Sequence, residues 1–140
     1  MSILIVRHTP SSASIVRREV QAAFLDAGAS EEDAFDAALI ASELVSNAVR
    51  HAAPLPSGQL AVEWLLDGDG YRISVTDGGS PHRIGSRVAG ARDLSGRGLT
   101  IVAALAEDWG VSAGSGPGQT TVWARGLLNR SSHTGLASTH

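Results

Sequence analysis

The chain has 140 residues, a formal net charge of −3, 43% hydrophobic and 18% charged residues, which describes one soluble domain able to bury a core. The acidic balance, without any basic stripe, argues against direct nucleic-acid binding, and no apolar run approaches the roughly 20 residues that a membrane-spanning helix needs. Cysteine is absent and all 11 basic side chains are arginine, which excludes disulfides, thiolate catalysis, Cys-held metals, a lysine-dependent P-loop and Schiff-base chemistry.

The opening MSILIVRHTP lacks the basic-then-apolar layout of a secretory signal, so a cytoplasmic location is expected. Ile3 to Arg7 predicts a first strand ended by Pro10. Ser11 or Ser12 can cap a helix running through SIVRREVQAAFLDAG, with Gly28 as its stop. Ser30-Glu31-Glu32-Asp33 resembles a capping box, with acidic residues at the positive end of the helix dipole. The helix it opens contains ALIASELVSNAVRHA, Ala38 to Ala52, and frays near Pro54. At 100° per residue, Ile40, Ala41, Leu44, Val45, Ala48 and Val49 cover most of its circumference. Glu43 and Asn47, one turn apart, share a narrow polar stripe with Arg50 and His51 at its end. Glu-x-x-x-Asn places a proton acceptor beside a neutral oxygen, which suits a metal ion and a water or hydroxyl. Alternatively, the stripe is the solvated side of a two-faced helix.

Leu60, Val62, Trp64 and Leu66 alternate with Ala61, Glu63 and Leu65 at strand periodicity. Asp67-Gly-Asp-Gly70 predicts a hairpin, and Tyr71, Ile73 and Val75 return as a strand delivering Thr76 and Asp77 to its far end. From Gly78 the chain is rich in Gly and Ser without sustained period through Gly96, the composition of a lid, binding loop or disordered segment. Gly96-Arg97-Gly98 leads into a predicted helix, LTIVAALAEDW. Two closing strands, Val111 to Ala113 and Thr120 to Arg125, flank GSGPGQ, and the polar tail is expected to be disordered. Trp64, Trp109 and Trp123 read as core. His51 suits a helix C-terminal role, while His8, His82, His133 and His140 fall in loops with no assigned chemistry.

Each chemical pattern has an ordinary reading beside a functional one. Asp77-Gly-Gly79-Ser-Pro81 can read the edge of a base, the carboxylate accepting from an exocyclic amino group and Gly79 admitting a flat ring; the same residues dominate turns. Gly96-Arg97-Gly98 at a helix start can cradle a phosphate through backbone N–H groups, or be a flexible helix entry.

Taken in order, the Glu/Asn helix, the Asp at a strand end, the glycine-rich segment, the Gly-x-Gly helix start and the Gly-x-Thr-Thr strand resemble the four boxes of the histidine-kinase-like ATPase superfamily (the GHKL or Bergerat fold). The resemblance runs nearly to Gly126. SELVSNAVRHA, SGRGLTIVAAL and GQTTVWA are similar in particular to the stand-alone anti-sigma-factor serine kinases of the RsbW type. It implies an α+β fold: a two-layer α/β sandwich, its mixed, mostly antiparallel sheet carrying three helices on one face. It also implies an ATP-binding domain over 1–126, an ATP lid at about 78–95, and a disordered tail at 127–140.

The resemblance further implies that Asn47 is a Mg²⁺ ligand, that Glu43 is the general base, and that Asp77 reads the adenine N6 amino group beside Gly79. Gly96 and Gly98 would bind the phosphates of ATP, with Leu99 just inside the helix. Thr121, or its neighbour Thr120, would lie near the adenine. Arg83, Arg87, Arg92 and Arg97 are candidate phosphate contacts. The implied activity is an ATP- and Mg²⁺-dependent serine/threonine kinase. It would phosphorylate a STAS-type anti-sigma antagonist and sequester a sigma factor, away from nucleic acid and membrane, with a homodimer within expectation. The alternatives are an ATP-gated protein-binding module with little or no phosphoryl transfer, and an orphan ATPase.

Overall fold

The computed structural model describes residues 1–79 and 99–128. In chain order the elements are β1 (Ser2–Arg7), α1 (Ser12–Asp26), α2 (Glu31–His51), β2 (Gln59–Asp67), β3 (Gly70–Asp77), α3 (Thr100–Leu105), β4 (Asp108–Ala113) and β5 (Thr120–Leu127). The strands form one five-stranded sheet in the order β1-β2-β3-β5-β4. All of its pairings among the described residues are antiparallel, so the expected mixed character is absent there. The reason lies in strand order: β4 runs in the same direction as β3, but β5 is inserted between them and pairs antiparallel with both.

The helices cover one face, giving the two-layer α+β sandwich. Val16, Val20 and Phe24 form a single stripe on α1 and are fully buried. On α2, Ala34, Ala37, Ala38 and Ala41 are small enough for close approach, while Ile40, Leu44 and Val45 fill the space against the sheet. Period-2 alternation directs Leu60, Val62, Ile73, Val75, Val122 and Ala124 into the same core. The helix ends follow local chemistry. Ser30 accepts the Asp33 N–H at 3.1 Å and caps α2. After α1, Gly28 takes φ +95°, and the Gly28 and Ala29 N–H groups donate to Leu25 O and Phe24 O, which is the Schellman closure. Ser11 is the N-cap of α1 but makes no side-chain cap bond; Ser12 Oγ instead donates to Arg7 O at 2.7 Å.

Three boundaries and placements differ from the sequence reading. The helix expected to run through Trp109 ends at Leu105, and Asp108 and Trp109 open β4. Ala106 is extended (φ −90°, ψ 153°) and the Glu107 N–H donates to Arg125 O, so pairing with β5 overrides the helix propensity of LAED. β5 continues to Leu127, and Leu128 is buried with its N–H on Asp69 O at 2.6 Å, past the boundary expected at 126. Trp123 is not core: it stands on the uncovered sheet face beneath the Arg72 guanidinium, 4.9 Å from the ring centroid, over Gly110. Ile3, Ile5, Leu65 and Leu127 are exposed on that same face. No helix among the described residues is long and apolar enough to cross a membrane.

Candidate functional site

The polar stripe of α2 divides: Asn47 is turned into the core, whereas Arg50 at its end is exposed. Asn47 is fully buried, and Glu43, one turn earlier, is half-buried. Asn47 lies in the last turns of α2, beside the position where the chain leaves the helix and meets the end of β3. There the Ala53 N–H donates to Gly79 O at 3.0 Å and the Gly78 N–H to Ala53 O at 2.8 Å. These two bonds tie the exit of α2 to the turn that follows Asp77.

Asp77 ends β3 on the helix-facing side of the sheet and has no exposed surface. Its Oδ1 accepts the Gly79 N–H at 2.7 Å, which orients the carboxylate. The two glycines that follow have no room for side chains. A Cβ on Gly78 would lie 2.0 Å from Pro54 O, and one on Gly79, at φ +91°, would lie 2.2 Å from Gly118 O. Gly79 is therefore wedged beneath the β4–β5 turn. That turn is organised by Gln119, whose Oε1 accepts the Gly116 N–H at 3.0 Å.

Strand register separates the two threonines. Thr120 pairs with Asp77 and is buried on the same side of the sheet. Thr121 pairs with Thr76 on the opposite face, where the two hydroxyls are 2.7 Å apart. Of the two residues named for the adenine side, Thr120 thus shares the side of Asp77. Leu99 is fully buried at the N-cap position preceding α3. Gly96, Arg97 and Gly98, with Arg83, Arg87, Arg92 and the expected lid beyond Gly79, lie outside the described residues. A residue without an assignment from sequence, His8, also reaches the site's frame: its Nε2 lies 2.8 Å from Ala52 O at the end of α2.

A separate cavity of about 540 Å³ opens at the other end of the sheet, between Tyr71, Arg72, Arg125 and Leu127. It shares no residue with the Asn47–Asp77 region, and its walls carry no equivalent of the buried carboxylate and carboxamide.

The structure thus links two regions through the backbone of Ala53: a buried carboxylate held by a glycine amide, and a helix end with a buried carboxamide one turn from a second carboxylate. The family described as the histidine kinase-like ATPase domain matches residues 6–125, and the chain belongs to that family. Membership implies ATP binding and an ATP-dependent regulatory or kinase role. Among solved structures, the chain is similar to the crystal structure of the RsbU and RsbW domains of Rv1364c from Mycobacterium tuberculosis, with 25% identity and a TM-score of 0.63. That match covers 91% of this chain and 33% of the other, so the chain spans about a third of its neighbour's length. The likeness supports the RsbW-type assignment. A comparison with curated proteins gives no match.

Proposed function

We propose that the chain is an ATP- and Mg²⁺-dependent serine/threonine protein kinase acting as an anti-sigma factor, which phosphorylates a STAS-type anti-sigma antagonist and sequesters a sigma factor. The observation that carries this reading is the Glu43–Asn47 pair on α2, a half-buried carboxylate one turn from a buried carboxamide, tied through Ala53 to the Asp77 turn. Nucleotide binding alone needs only Asn47; the carboxylate adds a base.

In this reading Asp77 accepts the adenine amino proton, Gly79 lets the ring approach the backbone, and Thr120 lies across from Asp77 on the same side. Asn47 would hold Mg²⁺ through its amide oxygen, and the ion would neutralise charge on the phosphates. A single neutral oxygen from the protein fits magnesium, which keeps waters and takes phosphate oxygens. No cluster of three or more His, Cys, Asp or Glu among the described residues offers a competing metal cage. Gly96, Arg97 and Gly98 are proposed to hold the phosphates, with Leu99 anchoring the start of α3 in the core. Glu43 accepts the proton of the partner's serine hydroxyl as its oxygen bonds to the γ-phosphorus; the bond to the β–γ bridging oxygen breaks and ADP leaves. The RsbW domain of the structural neighbour supports a protein partner. An ATP-binding unit that continues through the end of β5, a cytoplasmic location and a homodimer complete the proposal.

The test is transfer of radiolabelled γ-phosphate to candidate antagonists. Label on serine that falls by at least about 10²-fold in Glu43→Ala, with ATP binding retained, is the expected result. ATP bound by the folded wild type without transfer to any antagonist contradicts the kinase and leaves an ATP-gated binding module.

A further inference from the structure

His8 directly follows β1, and its backbone N–H donates to Gly58 O at 3.3 Å. Its half-buried ring crosses to the end of α2, where Nε2 lies 2.8 Å from Ala52 O and 3.2 Å from Ala48 O. Both neighbours are carbonyl oxygens, so Nε2 carries the hydrogen and donates in a fork. Ala48 O already accepts the Ala52 N–H at 3.0 Å. Ala52 O is one of the carbonyls that a helix leaves without an intrahelical donor.

The contact replaces a missing closure. α1 ends on Gly28 in the left-handed region, whereas α2 leaves directly into an extended C-cap, Ala52 at φ −134° and ψ 160°. No glycine turns the chain back to satisfy the final carbonyls. The next residue, Ala53, is the one that exchanges backbone bonds with Gly78 and Gly79. Gly79 in turn donates to the Asp77 carboxylate. There is little slack along this path, because Gly78 sits against Pro54 O and Gly79 against Gly118 O with no space even for a methyl group.

We propose that His8 is a positioning residue for the nucleotide site: its ring N–H fixes the exit of α2 and, through Ala53, the Gly78–Gly79 turn that aims the Asp77 carboxylate. The proposal rests on the reading of Asp77 and Asn47 as nucleotide ligands. It assigns a site-directed role to a side chain on the connection between β1 and α1, outside the segments that supply the nucleotide's own contacts.

Four proteins test it: wild type, His8→Ala, His8→Gln and His8→Asn, each confirmed folded by circular dichroism. Gln Nε2 is as many bonds from Cα as His Nε2, whereas the Asn amide falls one bond short. Two readouts are taken: Mg·ATP affinity by calorimetry, and the Gly79 amide resonance of the nucleotide-free protein by NMR. We expect His8→Ala and His8→Asn to weaken Mg·ATP by about tenfold and to shift the Gly79 amide, with His8→Gln within about threefold of wild type and its Gly79 resonance restored. Unchanged affinity in folded His8→Ala overturns the proposal, as does an unmoved Gly79 amide. Should His8→Ala not fold, full affinity in folded His8→Asn overturns it equally. A folded wild type that takes up no Mg·ATP, while the Gly79 amide still responds to His8, removes the nucleotide reading and the positioning role with it. Binding by wild type with no response to His8 removes only the role of His8.

Discussion

Asp77 and Tyr71 sit on the same strand and the same side of the sheet, yet their surroundings give them opposite tasks. Asp77 is buried and held by a backbone amide at the end of β3. Tyr71 lies at the start of β3, edge-on to Phe24 at 5.5 Å between ring centroids. Burial foremost, and then the carboxylates of Asp36, Asp33 and Glu107, push its phenol up to about 12. The folded value lies above the ordinary value of 10.0, so the fold favours the neutral phenol. That contribution is fully present below pH 10.0 and is lost as pH rises from 10.0 to about 12. The chain has one tyrosine, so ultraviolet absorbance of the phenolate reports it alone. The expected titration has its midpoint near pH 12 and accompanies loss of near-ultraviolet circular dichroism; ionisation near pH 10.0 in a still-folded protein contradicts the packing described.

At the scale of elements, α2 organises the molecule, because it carries Glu43 and Asn47 and packs against α1, α3 and the sheet. Its start depends on Ser30, so Ser30→Ala should cost about 1 kcal/mol in urea unfolding without changing ATP affinity; an unchanged midpoint would show the cap to be redundant. This start was legible in the sequence because a capping serine and three acidic residues act locally. So were the Asp67–Gly70 hairpin and the delivery of Asp77 to a strand end, both set by alternation and turn chemistry. Where α2 ends was legible from Pro54, but the partner of its last carbonyls was not, since the donor, His8, comes from 40 or 44 residues away. The α3–β4 boundary was obscured for a related reason: Asp108 and Trp109 continue a helical pattern, and only their partners Arg125 and Ala124 on β5 make them a strand. That Thr120 rather than Thr121 shares the face of Asp77 required register, because a slip of one residue exchanges the faces of a strand.

Over the whole molecule, the helices shield one side of the sheet and gather the candidate nucleotide groups at a single end. The cavity around Arg72 and Arg125 occupies the other end. Neither the family match nor the fold depends on the kinase reading; both bear first on ATP. Calorimetric titration of the folded chain with ATP and magnesium therefore tests the central claim most directly, with GTP and the Asp77→Ala variant alongside. Saturable binding of ATP is predicted, with GTP and Asp77→Ala each weaker by about 10²-fold or more, since a site built on a buried hydrogen bond rejects a partner that cannot complete it. No heat with saturating ATP and magnesium, or wild-type affinity in Asp77→Ala, would contradict the account.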